Sequence, residues 1–133
     1  MTILLADDDA TIRRISSLIL TRKGEHVVIC AADGAEAIAL AERERPDVIL
    51  LDGMMPGLDG YQACRKLRSQ KSTRDIPIIF LSANAGQAAA ERALNLGATG
   101  TIFKPFDPRT LPKRIQKILD EAPSYRALGP KTA

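Results

Sequence analysis

A chain of 133 residues, 45% hydrophobic and 26% charged, has the length and composition of one globular domain. Its formal net charge of +3 and its scattered three Phe and two Tyr residues do not indicate a nucleic-acid-binding surface. No apolar run approaches the roughly 18 residues of a membrane span, and no signal peptide precedes the first acidic residues, so we expect a cytoplasmic protein.

Short apolar runs alternate with helical periodicities five times along the chain. The runs predict strands over residues 2–6, 27–30, 48–51, 76–81 and 100–103, each followed by a helix. The third run has no polar face, which is typical of a strand that helices cover on both sides of a parallel sheet. The fourth helix is predicted over 86–96, and the fifth runs from an N-cap at Thr110 to about Glu121.

Spacing within these elements also predicts which side chains are buried. Ile15 and Leu18 belong to a set of apolar residues at helical intervals that predicts the buried face of the first helix. The basic residues of the third helix, Arg68 among them, are expected to face solvent. Cys30 and Cys64 are expected to be free, buried thiols, because small thiols behave as core residues.

The alternation of strand and helix through short links predicts one parallel sheet with helices on both faces, an α/β fold of the flavodoxin-like class. The strand order 2-1-3-4-5 fits best. The first, third, fourth and fifth strands end in polar groups, whereas the second does not and belongs at an edge. We expect a single domain over residues 1–121 and a flexible tail over 122–133, where two prolines and a glycine interrupt any periodicity.

Charged and hydroxyl side chains follow four of the predicted strands. Asp7 and Asp8 follow the first strand, Asp52 the third, Ser82 the fourth and Lys104 the fifth. Each residue alone has an ordinary structural explanation, as a helix N-cap, a turn residue or a surface charge. Because the carboxyl ends of parallel strands meet at one edge, we expect all five together. Three carboxylates there repel, and a hard cation such as Mg²⁺, assisted by the lysine, would offset their charge.

This ordered set of motifs resembles the receiver domain of two-component response regulators. The resemblance spans residues 1 to about 121, and the set is specific although each motif is weak alone. It rests on Asp7-Asp8 after the first strand, Asp52 with Met55-Pro56 and Asp59-Gly60 after the third, Ser82-Ala83 after the fourth and Lys104-Pro105-Phe106 after the fifth.

The resemblance implies a phosphorylation switch. Asp52 is expected to be the phosphoacceptor, which takes a phosphoryl group from the phosphohistidine of a sensor histidine kinase or phosphotransfer protein. Ser82 and Lys104 are expected to bind phosphoryl oxygens, and the peptide bond between Lys104 and Pro105 to be cis. Phosphorylation is then expected to move Ser82 and to reshape the surface of the fourth helix, fifth strand and fifth helix. A downstream protein target, an output domain or a second copy of the chain would bind that surface.

The resemblance also implies a magnesium site. Asp8 is expected to bind Mg²⁺ directly and Asp7 through water, while Asp52 and the backbone carbonyl of Met54 complete the protein ligands. A second assignment of the metal-binding pair remains open, because a shift by one residue would give Asp8 and Asp9. The residues that follow favour the pair Asp7 and Asp8.

Three positions vary within the family or depart from its pattern. The position three before the lysine is often aromatic, and here it is Thr101, which argues against an aromatic rotamer switch. Met54 and Asn84 lie two residues beyond the acceptor and the hydroxyl, at positions that tune the phosphoryl lifetime in the family. Met54 is expected to hinder water and Asn84 to orient it, so the lifetime itself is not predicted.

Two other classes of protein compete with this interpretation. A phosphohydrolase of the haloacid-dehalogenase type would also use Asp52 as a nucleophile with Mg²⁺, but it needs a second Asp two residues on, where this chain has Met54. A flavodoxin-like cofactor carrier needs a phosphate loop after the first strand, where three acids would repel a flavin phosphate. We therefore expect a receiver, alone or within a larger protein, that assists its own phosphorylation and dephosphorylation. It would not be an enzyme with an external product, and would bind neither membranes nor nucleic acid directly.

Overall fold

The computed structural model describes residues 1–83 and 86–122, and in them strands alternate with helices throughout. Asn84 and all but the first residue of the predicted tail over 122–133 lie outside the described residues. A short 3-10 turn at Pro108–Thr110 precedes the last helix. The elements are β1 (Thr2–Ala6), α1 (Ala10–Arg22), β2 (Val27–Ala31), α2 (Gly34–Glu44), β3 (Val48–Asp52), α3 (Gly60–Ser69), β4 (Ile78–Ser82), α4 (Gln87–Asn95), β5 (Gly100–Phe103) and α5 (Leu111–Glu121).

The five strands form one parallel sheet in the order β2-β1-β3-β4-β5, which confirms the predicted flavodoxin-like topology. Alternate side chains of each central strand enter different cores. In β3, Ile49 and Leu51 pack under α2, α3 and α4, whereas Val48 and Leu50 pack under α1 and α5. Helices on both faces explain why β3 has no polar side, because every residue from Val48 to Asp52 is buried. Among the described residues, no helix is both long and apolar enough to span a membrane.

Strand β4 begins two residues later than the sequence predicts. The predicted start at Ile76 places Pro77 inside the strand, but the observed strand begins at Ile78. Proline has no N–H to donate to a neighbouring strand. The carbonyl of Pro77 nevertheless accepts a hydrogen bond of 2.9 Å from the N–H of Ile49, so the residue precedes the ladder and still contacts β3.

The predicted buried face of α1 is wrong. Ile15 and Leu18 are 44% and 48% exposed, while Ser16 and Leu20 are buried. The periodicity therefore located the helix but misplaced its inner side. The small hydroxyl side chain of Ser16 occupies the buried face, so hydrophobicity alone did not mark it. Both cysteines are free, as expected, but Cys30 is exposed on the edge strand β2 and only Cys64 is buried.

The prediction that Arg68 faces solvent is also wrong. Its Nε and Nη2 atoms donate to the carbonyl of Gly97 at 3.0 and 2.9 Å. Its Nη1 atom donates to the carbonyls of Arg74 and Ile76 at 2.9 and 2.7 Å. One guanidinium therefore joins the end of α3 to the loop before β4 and to the turn after α4.

We predict that Arg68→Met lowers the free energy of unfolding by about 2–3 kcal/mol, because three carbonyl groups lose charged donors. Urea denaturation of the wild type and the variant measures this. Arg65→Met, an exposed arginine of the same helix, is the matched control and should change stability by no more than about 0.5 kcal/mol. An equal loss of unfolding free energy in the two variants would show that the hydrogen bonds from Arg68 to these carbonyl groups do not stabilise the fold.

Candidate functional site

The residues singled out in the sequence occupy the carboxyl edge of the sheet. Asp52 is the last residue of β3 and Ser82 is the last residue of β4. Asp7 directly follows β1, and Lys104 directly follows β5. Because all strands run in one direction, these four ends face the same side of the molecule, where open α/β sheets place their ligands.

Three carboxylates meet at this edge. One oxygen from each of Asp7, Asp8 and Asp52 lies within 4.8 Å of the others. Asp7 and Asp52 are buried, whereas Asp8 is exposed. The cluster therefore has a closed side formed by the strand ends and an open side at Asp8. We refer to these three residues as the acidic cluster.

Lys104 is the cation that faces the buried side of the acidic cluster. Its Nζ atom lies 2.7 Å from Oδ2 of Asp7 and 3.3 Å from Oδ2 of Asp52. Burial opposes the charge on the ammonium, but the hydrogen bond to Asp7 and the charge of Asp52 outweigh that cost. The pKa of Lys104 consequently lies above its ordinary value, and the side chain stays charged at neutral pH.

Burial raises the pKa of Asp52 from its ordinary 3.8 to about 6. The nearby charge of Asp7 adds to the rise, while the Met54 N–H and Lys104 oppose it. The Met54 N–H donates to Oδ1 of Asp52 at 3.1 Å, so both carboxylate oxygens of Asp52 have a defined partner. Asp52 is therefore ionised at neutral pH, yet more basic than an exposed aspartate.

The loop after Asp52 is fixed by the start of α3. The N–H of Gly60 donates to the carbonyl of Gly53 at 3.1 Å. A Cβ atom at Gly60 would collide with the backbone carbonyl of Asp52, so this close approach requires glycine. Asp59 caps α3 in a capping box with Gln62, which holds the helix start in the same place.

The three consecutive acids after β1 separate into two roles. Asp9 is the N-cap of α1, and its Oδ1 atom accepts hydrogen bonds from the N–H groups of Thr11 and Ile12 at 2.9 and 3.3 Å. Asp7 and Asp8 join Asp52 in the acidic cluster. This placement matches the register that pairs Asp7 with Asp8. Arg13, which the sequence did not mark, donates to the backbone carbonyl of Asp7 at 2.7 Å and supports this turn.

Ser82 and Lys104 are linked through the backbone, since the N–H of Lys104 donates to the carbonyl of Ser82 at 2.7 Å. The peptide bond between Lys104 and Pro105 is cis, as the resemblance to receiver domains implies. Ser82 also lines a cavity of about 620 Å³ beside the acidic cluster, together with Gly53 and Met54. Met54 itself is 71% exposed at this edge.

The wall of this cavity contains residues that the sequence did not mark. Arg92 of α4 and Tyr61 of α3 also line it. Helical spacing identified Tyr61 only as a core residue, and Arg92 only as part of an alanine-rich helix. No local pattern could have signalled that the two side chains meet at the site.

A family model for response regulator receiver domains matches residues 3–116. The chain belongs to this family. Among solved structures, this receiver domain is similar to the Vibrio cholerae chemotaxis protein CheY4, at a TM-score of 0.82 and 35% identity, over 88% of this chain and 97% of that chain. It is equally similar in fold to a receiver domain protein of Methanospirillum hungatei, at a TM-score of 0.82 and 30% identity, over 96% and 98% of the two chains.

The curated relatives of this receiver domain are longer proteins. It is 45% identical over 117 residues to the probable transcriptional regulator ycf27 of Porphyridium aerugineum, covering 88% of this chain and 47% of that protein. It is 42% identical to the alkaline phosphatase synthesis transcriptional regulatory protein PhoP of Bacillus subtilis, covering 88% and 48%. The chain thus spans about half the length of these relatives.

We predict that, without metal, stability falls by about 1–3 kcal/mol as the pH rises from about 4 to about 6. The folded state binds the Asp52 proton more tightly than the unfolded state does, so deprotonation costs more when the protein is folded. Below this pH window, the protonated Asp52 carboxyl makes its full contribution to the free energy of unfolding. Above the window, the titration of Asp52 changes the stability no further. Urea denaturation at each pH in EDTA measures the effect.

Asp52→Asn should remove this fall between pH 4 and pH 6. The control is Asp75→Asn, which removes an exposed carboxylate at the opposite end of β4 and should leave the fall in place. If Asp52→Asn keeps the wild-type pH dependence, the raised pKa is wrongly assigned to Asp52.

Proposed function

We propose that Asp52 accepts a phosphoryl group from the phosphohistidine of a sensor histidine kinase or phosphotransfer protein. The observation that carries the proposal is the position of Asp52, which is buried beside Asp7, Asp8 and Lys104 at the carboxyl edge of a receiver-family sheet. An oxygen of Asp52 attacks phosphorus, and the bond from phosphorus to the imidazole nitrogen breaks. The product is an aspartyl phosphate on this chain and a free histidine on the donor.

The surroundings of Asp52 suit this reaction. Its raised pKa makes the carboxylate a better nucleophile than an exposed one while it stays ionised at neutral pH. The charge of Lys104 offsets the repulsion between a carboxylate and an approaching phosphoryl group. The bond from the Met54 N–H fixes one oxygen of Asp52 and so limits the directions from which the other can attack. Ser82, at the adjacent strand end, would bind a phosphoryl oxygen.

The acidic cluster fits Mg²⁺ in its chemistry. Asp7, Asp8 and Asp52 bring three hard oxygen ligands within 4.8 Å of one another, and their combined charge exceeds what Lys104 balances. The backbone carbonyl of Met54 would complete the set. When bound, the ion would neutralise charge on the phosphoryl oxygens.

The resulting protein would act as a switch that assists its own phosphorylation and dephosphorylation, and not as an enzyme with an external product. We propose that the surface of α4, β5 and α5 carries the response to a downstream target. That target would be either a separate partner or an output domain of the same protein, and the curated relatives, which are about twice as long, support the second alternative. A homodimer through the same surface is a further candidate.

We expect the intact mass of the wild type to rise by one phosphoryl group after incubation with acetyl phosphate and Mg²⁺. Asp52→Asn should show no gain, and EDTA should abolish the gain in the wild type. Asp8→Asn should reduce it strongly, because a ligand of the cation is lost. Asp9→Asn is the matched control, since it removes the same charge one residue away while asparagine still caps α1.

Some receivers refuse small donors, so a negative result is repeated with a phosphorylated sensor kinase. If the folded wild type takes up no phosphoryl group from either donor, Asp52 is not a phosphoacceptor. Release of phosphate over many rapid turnovers, without accumulation of phosphoprotein, would instead support the phosphohydrolase alternative.

A further inference from the structure

Arg92 stands over an aromatic ring near the phosphoacceptor loop. The guanidinium carbon of Arg92, on α4, lies 4.1 Å from the centre of the Tyr61 ring, on α3. The Tyr61 ring also stacks on the ring of Phe80, in β4. The two ring centres are 5.0 Å apart, and the ring planes are inclined by 24°. Phe80 is fully buried, whereas Arg92 is exposed. These three residues form a column from the core to the surface of α4.

The column touches the loop that carries the acceptor. A Cβ atom at Gly53 would lie 3.1 to 3.2 Å from the ring carbons of Tyr61. Gly53 directly follows Asp52, and its N–H donates to the carbonyl of Leu81 at 3.1 Å. The acceptor loop at Gly53 is therefore close to the Tyr61 ring, and that ring connects the loop to Arg92.

The two ends of α4 are held differently. At its carboxyl end, the Arg68 guanidinium binds the carbonyl of Gly97, and the Cys64 thiol donates to the carbonyl of Leu96 at 3.4 Å. Its amino end starts after Gly86 and borders the cavity of about 620 Å³. Arg92 lies between these ends, and its contact with Tyr61 joins the middle of α4 to α3 beside the buried Ala93.

Strand β5 has a threonine where many receivers have an aromatic residue, so the contact between Arg92 and Tyr61 is the alternative connection to α4. Thr101 occupies the position where an aromatic side chain would connect the hydroxyl of β4 to the output surface, and it pairs in register with Phe80. A threonine has no ring to exchange between a buried and an exposed position. The column of Phe80, Tyr61 and Arg92 reaches α4 from the acceptor loop without passing through β5.

We propose that Arg92 is a positioning residue that, through Tyr61, holds α4 in its unphosphorylated arrangement. The proposal rests on the proposed function, because it concerns the movement that phosphorylation of Asp52 causes. A contact present in only one of two arrangements shifts the equilibrium between them. By linkage, removal of the contact increases the affinity for any ligand that favours the other arrangement.

Beryllofluoride with Mg²⁺, a mimic of the phosphoryl group, tests this directly. ¹⁹F NMR gives the beryllofluoride midpoint of each variant. Arg92→Gln should lower the midpoint about two- to fivefold, which is the range of an exposed cation–π contact. Arg92→Lys, which retains a cation over the ring, should recover most of the wild-type value. Arg65→Gln, an exposed arginine of α3 outside the column, should leave the midpoint unchanged.

A double-variant comparison separates positioning from general stability. In a Tyr61→Leu background, Arg92→Gln should cause no further shift of the midpoint, because its partner is already absent. In addition, the chain has no Trp and two Tyr residues, so Tyr125→Phe leaves Tyr61 as the sole reporter of intrinsic fluorescence. Its emission should change on beryllofluoride binding in the presence of Arg92, and should change less in Arg92→Gln.

The outcomes distinguish this proposal from the function on which it rests. If the wild type does not bind beryllofluoride, the phosphoacceptor proposal fails, and the role of Arg92 fails with it. If the wild type binds but Arg92→Gln has the same midpoint as Arg65→Gln, or a higher one, only the role of Arg92 is overturned. A lower unfolding temperature without a shift in the midpoint would show a purely structural contact.

Discussion

The contact of Lys104 with two buried carboxylates is the interaction on which the site depends. Asp7 and Asp52 are almost completely removed from water, and isolated charges in such positions are strongly unfavourable. The ammonium group of Lys104 lies 2.7 Å from Asp7 and 3.3 Å from Asp52 and offsets part of their negative charge. The balance is incomplete, because the exposed Asp8 adds a third carboxylate. The site therefore favours the binding of further positive charge.

The fold delivers this charge arrangement through backbone geometry. Parallel strands bring Asp7, Asp52 and Lys104 to one edge although the sequence separates them by up to 97 positions, from 7 to 104. The close approach at Gly60 then sets the path of the chain after Asp52. Because these constraints belong to the sheet and the helix start, Asp52 has a fixed direction, and the proposed phosphoryl transfer would need little reorganisation.

The sequence predicted the parts that follow from local pattern, and missed those that depend on tertiary contacts. Apolar runs located all five strands, and the shared edge of a parallel sheet brought the acids together with Lys104. The inward face of α1 was misjudged, because the small hydroxyl of Ser16 carries no hydrophobic signal. Arg68 looked like an ordinary surface charge, and nothing in the sequence marked Arg92. Their partners lie on other elements: carbonyl groups for Arg68, an aromatic ring for Arg92.

A crystal structure with Mg²⁺ and beryllofluoride is the most direct test of Asp52 as the phosphoacceptor. We expect beryllium bonded to an oxygen of Asp52, a fluoride within hydrogen-bond distance of Lys104, and Mg²⁺ held beside Asp7 and Asp8. Asp52→Asn crystals treated in the same way should contain no beryllofluoride. Beryllofluoride bound elsewhere, or Mg²⁺ bound without contact to Asp52, would contradict the assignment of Asp52 as the phosphoacceptor.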